Sequence, residues 1–409
     1  MLPVPAELII GTTLPAHFGV GAVAKLPPVV AAAGGGSVLL VTDAALAATP
    51  VISAVTGVLT AAGLPVTVFS GVQPNPTTDD LAAGAAAAGD LLAGRPVVVA
   101  VGGGSPIDAA KGIALAAVNQ QRGRELDYRS SFARPALPLV AVPTTAGTGA
   151  ETNAFGVVTD VAARRKFYVG HASTMPAAAI LDPELTVGLP PAATAATGMD
   201  ALTHAIESYL SVRANPWSAG IALQVVRMVR EFLPRAVADG TDREARGQML
   251  LAAHMAGVAM ASTGLGACHA IGHAVGGRFN VPHGVALTMV LPQVLSFSSS
   301  AVTGRLAEIA FALGAGSTAA SADVNAAAAI DAIASLAASV GMTQHMTDFG
   351  IAPDDFAQIA ADALDDEVLA NAPVQPTAAD IVGMLAATGP DSRSVERLGA
   401  HSPQTLHAG

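Results

Sequence analysis

Residues 97–118 read VVVAVGGGSPIDAAKGIALAAV. A short apolar, mostly β-branched run meets three glycines and a serine, and a helix-like stretch from 107 to 118 follows with Pro106 in its first turn. Strand, glycine turn and helix in that order make a ready anion site. Glycine lets the backbone approach a ligand closely, and the free N–H groups at the helix start can meet a diphosphate. A plain tight turn would read the same way, because the strict G-x-G-x-x-G fingerprint is absent.

Outward from this unit, short apolar runs at 6–11, 38–42, 66–69 and 137–142 alternate with helix-like stretches. That alternation predicts a parallel sheet with crossover helices. The glycines at 34–36 read as the loop feeding the second run. From about Asp182 onward the β-branched runs disappear and long Ala/Leu-rich helical patterns take over. Pro183 disfavours helix at the residue before it and marks a hinge. The expected architecture is therefore an α/β domain with a parallel sheet over 1–182 and an all-α domain over 183–409. Segment 388–409 is polar and aperiodic, which predicts a loosely packed tail.

A chain of 409 residues suits two domains. Hydrophobic residues make up 52% and charged ones 12%, and the mean hydropathy is +0.52. No window offers the roughly 18 consecutive apolar residues of a spanning helix without His, Gly–Pro punctuation or charge. Most of the excess is alanine, so buried helices are expected and a membrane partner is not. The start, MLPVPAELIIGTT, lacks the basic region and long apolar core of a signal peptide. The single cysteine, Cys268, excludes an internal disulfide framework and suits a reducing cytosol, so a cytoplasmic location is expected. The formal charge is −11, from 20 basic and 31 acidic residues, and no cluster of Lys and Arg forms a basic stripe. Nucleic acid is thereby excluded as a partner. Lysines occur only at 25, 111 and 166, which makes the last two positions informative.

Residues 143–151, PTTAGTGAE, follow another apolar run. The hydroxyls of Thr144, Thr145 and Thr148, with two glycines at a strand's C-terminal end, can line a ribose and phosphate, although ordinary turns share this composition. Asp43 closes the run at 38–42. An acidic residue there accepts hydrogen bonds from an adenosine ribose and repels a 2′-phosphate. It is also a good helix N-cap, and the two roles are compatible.

The most specific feature lies in the helical half. In GMDALTHAIE, 198–207, Asp200 and His204 are spaced i, i+4, which puts them on one helix face with Cβ atoms about 5–6 Å apart. In GACHAIGHAVGG, 266–277, His269 and His273 repeat the spacing, and His283 follows in a Pro-His-Gly turn. One carboxylate with several imidazoles in apolar surroundings suits a borderline divalent ion such as Fe²⁺ or Zn²⁺. The lone His254 reads as a core histidine. Cys268 points about 100° away from His269 on a helix and reads as packing.

Taken together, these motifs resemble the iron-containing, or group III, alcohol dehydrogenases. The resemblance runs from about Gly19 to the Asn371–Ala372–Pro373 segment. It includes VQPNPT at 72–77, the Gly102–Gly103–Gly104–Ser105 loop with Asp108 and Lys111, segment 143–151, Asp182–Pro183, TGMD at 197–200 and the paired-histidine region. It implies a dinucleotide-binding α/β domain, a helical metal domain and a site in the cleft between them. It further implies that Asp200, His204, His269 and His283 are metal ligands and that His273 lies near substrate and nicotinamide without ligating. Gly103, Gly104, Ser105, Thr144, Thr145 and Thr148 match cofactor contacts, as does Lys166, placed for the ribose. Asp43 matches the acidic position associated with NAD, so NAD(H) is expected ahead of NADP(H), with Fe²⁺ or Zn²⁺. A homo-oligomer, dimer or larger, is the family habit. Pro106–Ile107, Arg278 and Ser298 depart from many members, and none is in the ligand set.

The implied activity is reversible hydride transfer between nicotinamide and a small primary alcohol or aldehyde. Within the family the alternative is a maleylacetate-reductase-like enzyme, whose dianionic substrate would need basic residues; Arg278 is the only nearby candidate. A dehydroquinate-synthase-like lyase shares the architecture but needs several basic residues that the second half lacks. A zinc hydrolase with the same ligands would leave the Gly102–Ser105 and Thr144–Thr148 loops unexplained, and a non-catalytic metal-binding module would leave both loops and cleft idle.

Overall fold

The computed structural model describes residues 14–388, apart from 120, 162 and 164. The run at 6–11 and the tail beyond Thr388 lie outside the described residues. The described residues form eight strands: β1 (Ala16–Phe18), β2 (Ser37–Asp43), β3 (Val66–Val72), β4 (Pro96–Gly102), β5 (Leu139–Pro143), β6 (Phe155–Asp160), β7 (Arg165–Gly170) and β8 (Ala178–Leu181). Six of them make one parallel sheet in the order β1-β8-β5-β4-β2-β3, and β6 with β7 form a separate antiparallel hairpin. The runs at 38–42, 66–69 and 97–101 fall in β2, β3 and β4, and the run at 137–142 overlaps β5, which starts at Leu139. Strands β1, β6, β7 and β8 are additions to the sequence reading.

The unbroken apolar runs of β2 and β4 follow from burial on both faces. Leu39, Val41, Val98 and Ala100 pack with Leu81, Ile107 and Ile113 on one side. Val38, Leu40, Val97, Val99 and Val101 pack with Leu26, Val30, Val55 and Leu59 on the other. The covering helices are α1 (Leu26–Ala32), α2 (Ala44–Ala47), α3 (Pro50–Ala61), α4 (Thr78–Gly89) and α5 (Gly104–Asn119). Helix α5 opens at Gly104, three residues before the helix-like pattern, so the glycine loop is shorter than the sequence suggests.

No strand follows Leu181 among the described residues. Helices α6 (Pro191–Leu210), α7 (Pro216–Ala238), α8 (Arg243–Thr263), α9 (Ala267–Phe279), α10 (His283–Ala312), α11 (Ala322–Ser339), α12 (Phe356–Leu364) and α13 (Ala378–Ala386) build a second core. By length and composition α10 is apolar enough to cross a membrane, but half of its apolar window is buried inside the protein. That is how a core helix of an alanine-rich bundle reads. Cys268 is buried in this core, in line with a packing role.

Candidate active site

Because the six-stranded sheet is parallel, the C-terminal ends of β2, β4 and β5 share one edge, and the predicted cofactor residues collect there. Gly102 pairs with Pro143 at the ends of β4 and β5, and Thr144 N–H donates to Gly102 O at 2.9 Å. Gly102 has φ +152°, which a side chain would resist. A Cβ on Gly103 would stand 3.1 Å from Thr145, and one on Gly104 would stand 2.9 Å from Thr148. The two loops therefore touch, with Gly104 and Ser105 in the first turn of α5, where helical N–H groups lack partners. Asp43 caps α2 by accepting from Leu46 N–H at 2.8 Å, so its capping role is realised. Lys166, on β7, donates from Nζ to Asn75 Oδ1 at 3.0 Å. Burial lowers its pKa, opposed by the carboxylates of Asp108 and Asp366.

The loop carrying Thr148 packs directly onto α6, where a Cβ on Gly147 would lie 2.7 Å from Thr197 O. One turn on stands Asp200, and around its Oδ1 converge the Nε2 atoms of His204 at 3.4 Å, His283 at 3.6 Å and His269 at 3.7 Å. Donors bound to a tetrahedral ion at about 2.0–2.1 Å stand about 3.4 Å apart, so this spacing fits a shared ion. Asp200, His269 and His283 each offer a donor atom within 4.8 Å of the others, and His204 joins through Asp200 and by stacking on His269 at 4.7 Å between ring centroids. Asp200 Oδ1 and His269 Nε2 are buried and have no hydrogen-bond partner. Such orphaned atoms are costly unless something occupies the space between them. His283 reaches the cluster because Gly284 lets α10 start against α6: a Cβ there would stand 2.1 Å from Ala196 O.

The electrostatics point the same way. Burial pushes the Asp200 carboxyl up, but the imidazoles of His204, His283 and His269 outweigh it and hold the group well below the usual carboxylate range. Burial lowers His204 to about 4 despite Asp200, and takes His283 well below its ordinary value. For His269 burial is outweighed, chiefly by Glu207, and the pKa rises to about 9. A carboxylate oxygen and three converging imidazole nitrogens form a donor set that a divalent cation can take over, displacing whatever protons the cluster holds.

Two residues of the arrangement were not foreseen from the sequence. Buried Glu207 accepts from His269 Nδ1–H through Oε2 and from Cys268 N–H through Oε1 at 2.8 Å, so it fixes both the ring and the start of α9. Its only sequence signal is an acid three residues past His204 in an apolar helix. Asp366 accepts from His273 Nδ1–H at 2.7 Å. His273 sits beside the cluster, its ring 5.4 Å from His283 and 5.7 Å from His269, and it is not among the converging donors. His254 lies apart in the core, satisfied by Glu151 at 3.0 Å. Replacing Glu207 with Gln is expected to weaken divalent-ion affinity about 10–100-fold, the usual cost of losing a partner behind a ligating imidazole. Competition against a chelator measures it; unchanged affinity would reduce Glu207 to a cap for α9.

Known proteins carry the same pattern over nearly the whole chain. The family model described as iron-containing alcohol dehydrogenase matches residues 15–183, and that for the Fe-containing alcohol dehydrogenase family, C-terminal, matches 194–389. Alcohol dehydrogenase 4 of Schizosaccharomyces pombe is 36% identical over 92% of this chain and 87% of its own. The NAD-dependent methanol dehydrogenase of Bacillus methanolicus is 37% identical over 90% of this chain and 96% of its own. The solved structure of a 1,3-propanediol oxidoreductase superposes with a TM-score of 0.89 at 35% identity, covering 93% of this chain and all of that one. With both halves matched in order and full-length relatives alongside, the chain belongs to the iron-containing alcohol dehydrogenase family.

Proposed function

We propose that the protein is a metal-dependent, NAD(P)-linked dehydrogenase that interconverts a small primary alcohol and its aldehyde. The observation that carries it is the pair of orphaned buried atoms, Asp200 Oδ1 and His269 Nε2, facing His204 and His283, with α6, which carries Asp200 and His204, packed against the Thr144–Thr148 loop. In this reading Asp200, His204, His269 and His283 hold one divalent ion, Fe²⁺ or Zn²⁺. When bound, that ion supplies a Lewis acid toward the alcohol oxygen, and the nicotinamide supplies the hydride acceptor.

The remaining work belongs to the chain. Gly102, Gly103, Gly104 and Ser105 bring the N–H groups of the first turn of α5 to a diphosphate. Thr144, Thr145 and Thr148 offer hydroxyls along the same edge, Lys166 lies toward the ribose, and Asp43 disfavours a 2′-phosphate. His273, held on its Nδ1 side by Asp366, keeps Nε2 free to accept the proton that leaves the substrate hydroxyl and pass it to water. We place the division between cofactor and metal domains near residue 182, and read the protein as a cytoplasmic homo-oligomer, dimer or larger. The maleylacetate-reductase-like alternative loses its basic residue, because Arg278 pairs with Asp362 at 2.6 Å on the surface.

Reduced cofactor should form from NAD⁺ across a panel of primary alcohols once Fe²⁺ or Zn²⁺ is supplied. No turnover of any alcohol or aldehyde in either direction would refute the assignment. NAD(H) should be preferred over NADP(H), and Asp43→Gly should narrow the gap by removing charge repulsion. An equal or better kcat/KM with NADPH in the wild type would strip Asp43 of that role.

A further inference from the structure

The loop that grips His273 is itself gripped from the sheet half. Asp366 stands just before a short 3-10 turn, Glu367–Asn371, and caps it, with Oδ1 accepting from Val368 N–H at 3.1 Å. The other oxygen, Oδ2, accepts from His273 Nδ1–H at 2.7 Å. An ionised carboxylate only accepts, so this contact fixes the tautomer of the neutral ring, with the proton on Nδ1 and Nε2 as the acceptor. From β7, Tyr168 Oη donates to Asp366 Oδ1 at 3.3 Å. From the segment paired with β7, Tyr128 Oη donates to Glu367 Oε2 at 2.6 Å, and Arg129 Nη1 lies 3.0 Å from Glu367 Oε1. Tyr128 and Tyr168 meet edge to face with centroids 6.2 Å apart, and Tyr128 N–H donates to Tyr168 O at 2.9 Å. The two rings thus form one edge that reaches across to residues 366 and 367. A cap for a 3-10 turn needs none of these three side chains.

We propose that Asp366 is the positioning residue for His273, and that Tyr128, Arg129 and Tyr168 hold its loop, so that the sheet half sets the orientation and tautomer of a histidine in the helical half. The proposal rests on the role given to His273 under the proposed function. It makes docking of the two halves a condition for turnover, separate from binding either cofactor or metal.

Asp366→Asn tests it, because the amide keeps the size but puts an oxygen at only one of the two positions, facing either Val368 N–H and Tyr168 or His273 Nδ1–H, and an NH₂ donor at the other. In Zn²⁺-loaded protein kcat should fall on the order of 10²-fold, within the range general base catalysis contributes. The KM for NAD⁺, the zinc content and the thermal midpoint should stay at wild-type values. Tyr168→Phe keeps the ring and loses one hydrogen bond, and should lower kcat several-fold with the same KM. The imidazole ¹⁵N shifts of His273, assigned by difference against His273→Gln, should report Nδ1–H in the wild type and a changed tautomer in Asp366→Asn. Wild-type kcat with that tautomer intact would overturn the proposal. So would loss of zinc together with kcat, which would make Asp366 a prop of the metal centre. A zinc-loaded wild type without dehydrogenase activity would instead refute the proposed function, and the proposal with it.

Discussion

Alanine at His204, His269 or His283 is expected to give protein that purifies nearly free of metal and turns over no alcohol. Each of these side chains aims Nε2 at Asp200 Oδ1 from 3.4 to 3.7 Å, and the further imidazole beside them, that of His273, is held away by Asp366. Loss of a residue behind a ligand already costs about 10–100-fold in affinity, and loss of a ligand should cost at least that. The variants should differ in stability. His269→Ala strips buried Glu207 of its imidazole partner and leaves an uncompensated carboxylate, a strongly destabilising change. His283 is half-buried at the start of α10, and its removal should leave the thermal midpoint close to that of the metal-free wild type. His273→Ala should keep its metal and lose turnover, because its ring lies beside the cluster and not in it. Metal analysis beside steady-state rates separates the classes. A His283→Ala protein with both metal and activity would overturn the ligand set, and metal loss in His273→Ala would add that residue to it.

What could be read from the sequence was what is local. The i, i+4 pairs Asp200–His204 and His269–His273 announce themselves on single helices, and the apolar runs of β2 and β4 mark strands covered on both faces. The partners that orient the imidazoles leave no such trace, since Glu207 meets His269 across 62 positions and Asp366 meets His273 across 93. Strand β8 is Ala-Ala-Ile-Leu and β1 is three residues long, so neither carries the β-branched composition that marks a strand; their neighbours in the sheet impose it. Gly104 is a poor helix former and reads as loop. Its place in α5 is set by Thr148, which occupies the space a side chain would need. Sequence located the chemistry; long-range packing decides how its groups are aimed.

Lys111 separates those two contributions most sharply, because the sequence marks it only as a rare lysine in the motif of the glycine loop, while its surroundings give it a structural role. It is 0% exposed, and Nζ donates to Ala150 O at 2.7 Å, Asn153 Oδ1 at 2.9 Å and Phe155 O at 2.6 Å. One turn earlier Asp108 accepts from Val157 N–H at 3.0 Å, so α5 ties down the whole path from the Thr148 loop into β6. Lys111→Met keeps the length, relieves the burial of a charge and takes the ammonium donor from the carbonyls of Ala150 and Phe155, each loss worth about 1–3 kcal/mol when buried, while Asn153 Oδ1 keeps Phe155 N–H at 3.1 Å. The acceptors outweigh the relief, and a net loss of about 3 kcal/mol should lower the midpoint of the sheet half on the order of 10 °C. Metal content should be unchanged. Burial draws the Lys111 pKa from 10.5 down to about 8, against the pull of Asp108 and Glu151. The folded protein therefore releases this proton more readily than the unfolded chain, and wild-type stability gains a contribution as pH rises from about 8 to 10.5. Lys111→Met lacks that contribution, so the stability gap should widen over this window. An unchanged midpoint together with a raised KM for NAD⁺ would mean that Lys111 acts on the cofactor, and that the Thr144–Thr148 loop holds its place by other means.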